Sequence, residues 1–164
     1  NLAEELKEIE ELFSQKKKEG LIPRLEALRK KAKKGLIFNL STQYLATLEE
    51  EKGEHQKVYE LLSSIKKYLS PESLLHLHAA AYEVKDYPLV AELSGTAFQY
   101  FPGPDVALHS AEASAALRDV EATIGWLEAA IKYGVLDVSP VISKEVFNSI
   151  RNDPEFRKFV HSFS

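Results

Sequence analysis

Apolar residues open the chain at helical spacing. Leu2, Leu6, Ile9 and Phe13 fall at i, i+4, i+7 and i+11, with charged residues on the other faces, the mark of an amphipathic helix. Glu4 and Glu5 lie in its first turns and Lys16, Lys17 and Lys18 at its end, which suits the helix dipole. The same spacing returns at Leu21, Leu25, Leu28 and Ala32, followed by Lys33 and Lys34. Gly20 and Gly35 are the expected stops of the two helices. A short loop between them predicts an antiparallel hairpin over residues 1–35.

From residue 39 the pattern becomes periodic at about 33 residues, in windows 39–70, 71–103 and 104–136. Each predicts a helix, a turn and a second helix of similar length. The turns are Lys52-Gly53-Glu54, Lys85-Asp86-Tyr87 and Arg118-Asp119-Val120. Ala46 and Ala111 hold equivalent places on the first helices, where small residues permit close approach, and His78 is the exception between them. Ile65, Ala97 and Ala130 are equivalent on the second helices. Gly95 and Gly125, both mid-helix, are expected at close helix–helix approaches. Ser70-Pro71, Gly103-Pro104, Ser139-Pro140 and Asp153-Pro154 mark helix starts, with the serine hydroxyls as caps and proline pre-setting the first helical residue. Tyr68, Tyr82, Tyr87, Phe98, Phe101 and Trp126 are expected mainly on packed faces. A hairpin repeat of this length cannot bury its own apolar face, so its copies must stack.

The middle window, with Leu77, Ala79, Ala80, Tyr82, Asp86, Tyr87, Ala97 and Pro102, resembles the tetratricopeptide repeat family, whose unit is a helix-turn-helix of 34 residues. The first window keeps Gly53 but has Val58 where the family usually has Ala. The third has Thr123 there and no turn glycine. The stretch 147–156 resembles the closing segment that follows bacterial-type arrays. The resemblance implies an all-α fold of antiparallel hairpins stacked as a short right-handed α-solenoid. Three degenerate repeats would span residues 36–138, and capping helices residues 139–164. It also implies a concave groove lined by the first helix of each hairpin. Carried over, those positions are Gln43, Thr47, Glu50 and Glu51, then Leu75, Ala79, Tyr82 and Glu83, then Leu108, Glu112, Ala115 and Ala116. None is Lys or Arg, which argues against a clamp for a peptide's C-terminal carboxylate. A groove apolar at its centre and acidic at its edges would suit a protein or peptide segment with apolar anchors and basic flanks. The competing reading has the groove filled by the chain's own hairpin or tail.

Composition narrows the chemistry. The 164 residues are 45% apolar and 28% charged, with no cysteine, which excludes disulfides, thiol catalysis and cysteine-based zinc sites. Net charge is −4. Residues 1–67 carry 14 basic against 12 acidic residues, and residues 68–164 carry 7 against 13. That balance argues against nucleic acid as the partner of the repeats. With no methionine, the chain reads as an excised or processed domain. The cytoplasm is the expected compartment. A lysine-rich hairpin beside an anionic membrane, in a membrane-anchored parent protein, is the alternative.

Catalytic and metal chemistry find little footing. His76 and His78, two apart on a helix, point to different faces and cannot easily share a metal. His76 and His109 are equivalent in the repeat, as a structural position would be. His109-x-x-Glu112 has the spacing of some helical metal ligands but lacks a second helix to complete the set. No nucleophile elbow, zincin motif or dinucleotide fingerprint occurs. The expectation is a non-catalytic protein-binding adaptor without cofactor, metal or evident small-molecule substrate. The runner-up is a structural or homo-oligomerising module that associates through the N-terminal hairpin.

Overall fold

The computed structural model describes residues 1–163, so the last residue of the expected capping segment, Ser164, lies outside the described residues. All regular structure among them is helical. The α-helices are α1 (Leu2–Ser14), α2 (Leu21–Ala32), α3 (Leu36–Glu51), α4 (His55–Ser63), α5 (Pro71–Glu83), α6 (Tyr87–Tyr100), α7 (Pro104–Ala116), α8 (Val120–Lys132), α9 (Ser139–Ile142) and α10 (Pro154–His161). Single 3-10 turns lie at Lys66–Tyr68 and Glu145–Phe147. The chain forms two compact units, Asn1–Leu77 and His78–Ser164, whose boundary falls within α5.

In the first unit, α1 and α2 pack against α3, and α3 against α4. Leu6, Ile9, Leu21, Leu25 and Leu28 are buried with Leu45 and Leu48 of α3. The apolar stripes of the N-terminal hairpin are therefore consumed by the unit's own core. Polar groups reinforce the edges: Tyr44 donates to Glu10 at 2.8 Å, and its ring lies 4.7 Å from that of Phe13. Arg24 bridges Glu5 at 2.7 Å and Glu8 at 3.2 Å.

Both expected glycine stops are corrected. α1 ends at Ser14, and Lys16 (φ 60°) takes the left-handed position after it. α2 ends at Ala32, followed by left-handed Lys33 (φ 66°). Gly20 and Gly35 instead begin the following helices as N-caps. The second helices are not all alike either, since α4 has 9 residues against 14 and 13 in α6 and α8. Ser63 and Ser64 at its end turn their hydroxyls back onto the carbonyls of Tyr59 and Leu61 at 2.6 Å, competing with continued helix.

The turns of the three hairpins share one construction. The left-handed residue is Gly53 (φ 74°), Lys85 (φ 64°) and Arg118 (φ 62°), positions 32 and 33 residues apart. After each, a backbone N–H reaches five residues back: Glu54 to Glu49 at 3.0 Å, Asp86 to Ala81 at 2.8 Å, and Asp119 to Ser114 at 2.9 Å. The left-handed residue itself bonds three back, to Glu50, Tyr82 and Ala115. This is the Schellman closure, which satisfies carbonyls that a helix end would otherwise leave unpaired. The same Glu54, Asp86 and Asp119 are the N-caps of α4, α6 and α8, with φ between −85° and −92°. Asp86 caps the amide of Leu89, and Asp119 that of Ala122. One residue thus ends one helix and starts the next.

The second unit centres on α7, which packs on α6, α8 and the Glu145–Phe147 turn. Ala111, Ala115 and Leu127 meet Phe147, Ile150, Phe156 and Phe159 of the C-terminal segment. Arg151 holds that segment's bends through the carbonyls of Ile142 (2.8 Å) and Lys144 (3.2 Å). Asp153 caps α10 through the amides of Glu155 and Phe156, as expected. The Ser139 hydroxyl does not cap α9. Val138 is the N-cap residue, and Asp137 accepts from the Ser139 amide, since a carboxylate two residues back reaches that N–H.

Gly95 and Gly125 are not at close approaches. Both are exposed, and a Cβ added at either would meet nothing within 4 Å. Two aromatics also depart from expectation, Tyr68 at 65% and Phe101 at 38% exposure. Tyr68 ends the 3-10 turn after α4 and Phe101 is the C-cap of α6, so neither continues the packed face of an α-helix. No helix among the described residues is long and apolar enough to cross a membrane.

Candidate functional site

The polar groups of the second unit converge where the end of α5 meets α7. His78, buried at 1% exposure, occupies the place that Ala46 and Ala111 hold in the other hairpins. Its Nε2 lies 3.1 Å from the Ser94 hydroxyl and 3.2 Å from that of Ser110. Ser94 donates to the Val90 carbonyl at 2.6 Å, and Ser110 has the Val106 carbonyl and Ser94 as acceptors at the same distance. With both hydroxyl protons so directed, the ring must carry its proton on Nε2 to bond the serines. Burial, aided by His109, pulls the His78 pKa down to about 4, so the ring is neutral. This Ser–His cluster is a satisfied core network: its hydroxyls face helix carbonyls rather than an open site.

One turn further along α5, the Tyr82 hydroxyl donates to the Glu112 carboxylate, 2.9 Å from each oxygen. Lys144, just after α9, places its ammonium 3.2 Å from the same carboxylate. Glu112 is 5% exposed, so its charge is met almost wholly by these two groups. The Tyr82 ring stacks on His109 with centroids 3.9 Å apart and planes 13° apart. Burial raises the Tyr82 pKa, and the Glu112 hydrogen bond adds to it, so the phenol keeps its proton. Burial lowers the His109 pKa against the pull of Glu112, Asp105 and Glu83.

Of the residues expected to line a groove, the structure brings Tyr82 and Glu112 into direct contact. Ala79 and Leu108 are half-buried and Glu83 is exposed. In the first unit Gln43 has a different role. Its side-chain amide donates to the Tyr68 carbonyl at 3.1 Å and accepts from the Ser70 amide at 2.9 Å. Ser70 in turn caps the amide of Ser73, so Gln43 anchors the start of α5. Thr47 donates back to the Gln43 carbonyl at 3.1 Å. Glu51 pairs with Lys18. Glu50 and Leu75 are half-buried, and Glu50 Oε2 has no hydrogen-bond partner. Lys144 was not legible as a site residue, because it lies 32 residues from Glu112 in a segment without repeat periodicity. His109 was legible as a repeat position and by its spacing to Glu112, but not as the stacking partner of Tyr82.

A cavity of about 580 Å³ opens in the first unit among α2, α3 and α4. Its floor includes Ile22, Leu45 and Leu61, and its walls carry Arg29, Lys52 and Lys57 with Glu26, Glu49 and Glu60. No group of three or more acidic or histidine side chains suited to a metal ion occurs among the described residues. No protein-family model matches the chain, and no curated protein or solved structure matches it.

Proposed function

We propose that the chain is a non-catalytic, tetratricopeptide-like helical-repeat module that binds a protein segment on the first-helix faces of its hairpins. The observation that carries this reading is the turn built three times over, at Gly53, Lys85 and Arg118, with the same closure and the same capping position. Repetition of one hairpin is the device by which stacked-helix proteins make extended recognition surfaces. In the second unit the face available to a partner is narrower than the sequence implies. Tyr82 and Glu112 are engaged with each other and with Lys144, which leaves Ala79, Glu83 and Leu108 as the residues with room for contact. An acidic edge at Glu83 and small apolar neighbours suit a segment with an apolar anchor and a basic flank.

The test is capture of partners from the native cell extract by the chain and by its Glu83→Lys form, followed by measured affinity of the recovered segment as a synthetic peptide. A partner kept by the first and bound at least about tenfold more weakly by the second, roughly 1.4 kcal/mol, supports the reading. Equal capture by both overturns it.

A further inference from the structure

The cavity of the first unit holds a buried carboxylate covered by basic side chains. Glu49 is 3% exposed, and its Oε2 is buried without a hydrogen-bond partner. Two ammonium groups cover it, Lys52 at 3.6 Å and Lys57 at 3.4 Å, and both lysine side chains are more than half exposed. A cation could reach Glu49 only by displacing those lysines. An anion displaces nothing and meets ammonium groups already drawn over the site by the carboxylate beneath them. Arg29 adds a third cation. Its Nε donates to Thr42 at 2.7 Å and its guanidinium stacks 4.8 Å from the Phe38 ring, and Glu26, three residues earlier on α2, acts on its charge without forming an ion pair among the described residues. A guanidinium held this way by one nitrogen and one face keeps its outer N–H fork for a carboxylate.

We propose that this cavity binds a small amphipathic monocarboxylate, its carboxylate on Arg29 and Lys57 and its hydrocarbon against Ile22, Leu45 and Leu61. The size fits, since ligand cavities commonly enclose about 300–1,000 Å³. Glu26 and Glu60 on the walls bring the lining to three acidic against three basic side chains, so no net positive charge is left for a doubly charged phosphate and a single negative charge is favoured. The carboxylate could belong to a free acid or to the C-terminus of another chain, and the chemistry of capture is the same. This inference is independent of the hairpin-face reading.

The experiment is a methyl NMR titration of the whole chain with octanoate, octylammonium and inorganic phosphate. Octanoate should give saturable shifts at Ile22, Leu45 and Leu61, with octylammonium and phosphate much weaker. Loss of one charge-assisted contact should weaken octanoate about tenfold in Arg29→Gln and about threefold in Lys57→Gln. Lys57 is surface-exposed, so its variant keeps the test valid if Arg29→Gln perturbs folding. A short peptide ending in a free leucine carboxylate, set against its amide, separates the two sources. Tighter binding of the free-ended peptide than of octanoate assigns the site to a chain terminus, and the reverse assigns it to a free acid. Octylammonium binding as well as octanoate, octanoate binding unaffected by both substitutions, or no saturable shift at millimolar octanoate would each overturn the proposal.

Discussion

The Tyr82 hydroxyl stands 2.9 Å from both carboxylate oxygens of Glu112, so one phenol serves a buried charge that is otherwise met by Lys144. This makes Tyr82 a structural residue of the second unit. Tyr82→Phe should cost about 1.5–3 kcal/mol, the range for a hydrogen bond to a charged group. Lys144→Gln should cost less, because its side chain is half exposed and solvent screens it. Urea unfolding of the two variants checks the order. A Lys144 effect larger than that of Tyr82 would contradict it.

His78 predicts a pH dependence. Its folded pKa of about 4 lies below the ordinary 6.5, so the unfolded chain binds more protons between those values. Stability from the neutral ring is fully present above pH 6.5 and is lost as pH falls from 6.5 toward 4. The full shift corresponds to something on the order of 3 kcal/mol. His109, also lowered, adds in the same direction. In urea titrations at pH 7.5 and pH 5, His78→Gln should show a clearly smaller loss than the parent protein. Equal losses would remove His78 as the cause.

The hairpin turns allow a test by exchange. Lys85 and Arg118 carry side chains at left-handed positions where the first hairpin has Gly53. Lys85→Gly and Arg118→Gly should each stabilise by about 0.5–1 kcal/mol through relief of the Cβ penalty. Gly53→Ala should destabilise by a similar amount, with no packing contribution because nothing lies within 4 Å of its added Cβ. Thermal melts of the three variants decide, and changes of the opposite sign would refute the shared construction.

Gly95 and Gly125 offer the converse case. Both lie inside helices, exposed and with open space beyond. Replacement of either by Ala should stabilise by about 0.5–1 kcal/mol, the usual helix-interior difference. A destabilised Gly125→Ala protein would point to a face that is covered in solution.

What was legible in the chain follows from which interactions are local. Helix existence, the three turns and the Pro-marked starts of α5, α7 and α10 are set by periodicity and capping within a few residues, and they stand as expected. The stops of α1 and α2 were misread because lysines took the left-handed position usually filled by glycine. Gly95 and Gly125 were misread because a missing side chain looks the same on an exposed face as in a tight contact. At the site, the acidic character of Glu112 was readable but its burial was not. That depends on Lys144 and Tyr82, which meet it only in three dimensions. His78 as the exception among the alanines was visible. The serines that accommodate it, on α6 and α7, were not.

The double duty of Glu54, Asp86 and Asp119, each closing one helix and opening the next, makes every hairpin indivisible. Adding or removing a single residue there would separate the two roles and leave one helix end unclosed. Changes in length must therefore accumulate in the joints between hairpins, such as 64–70 and 101–103, where no residue serves two helices. Modules cut from this chain, or grafted into it, should be exchanged at those joints as whole hairpins.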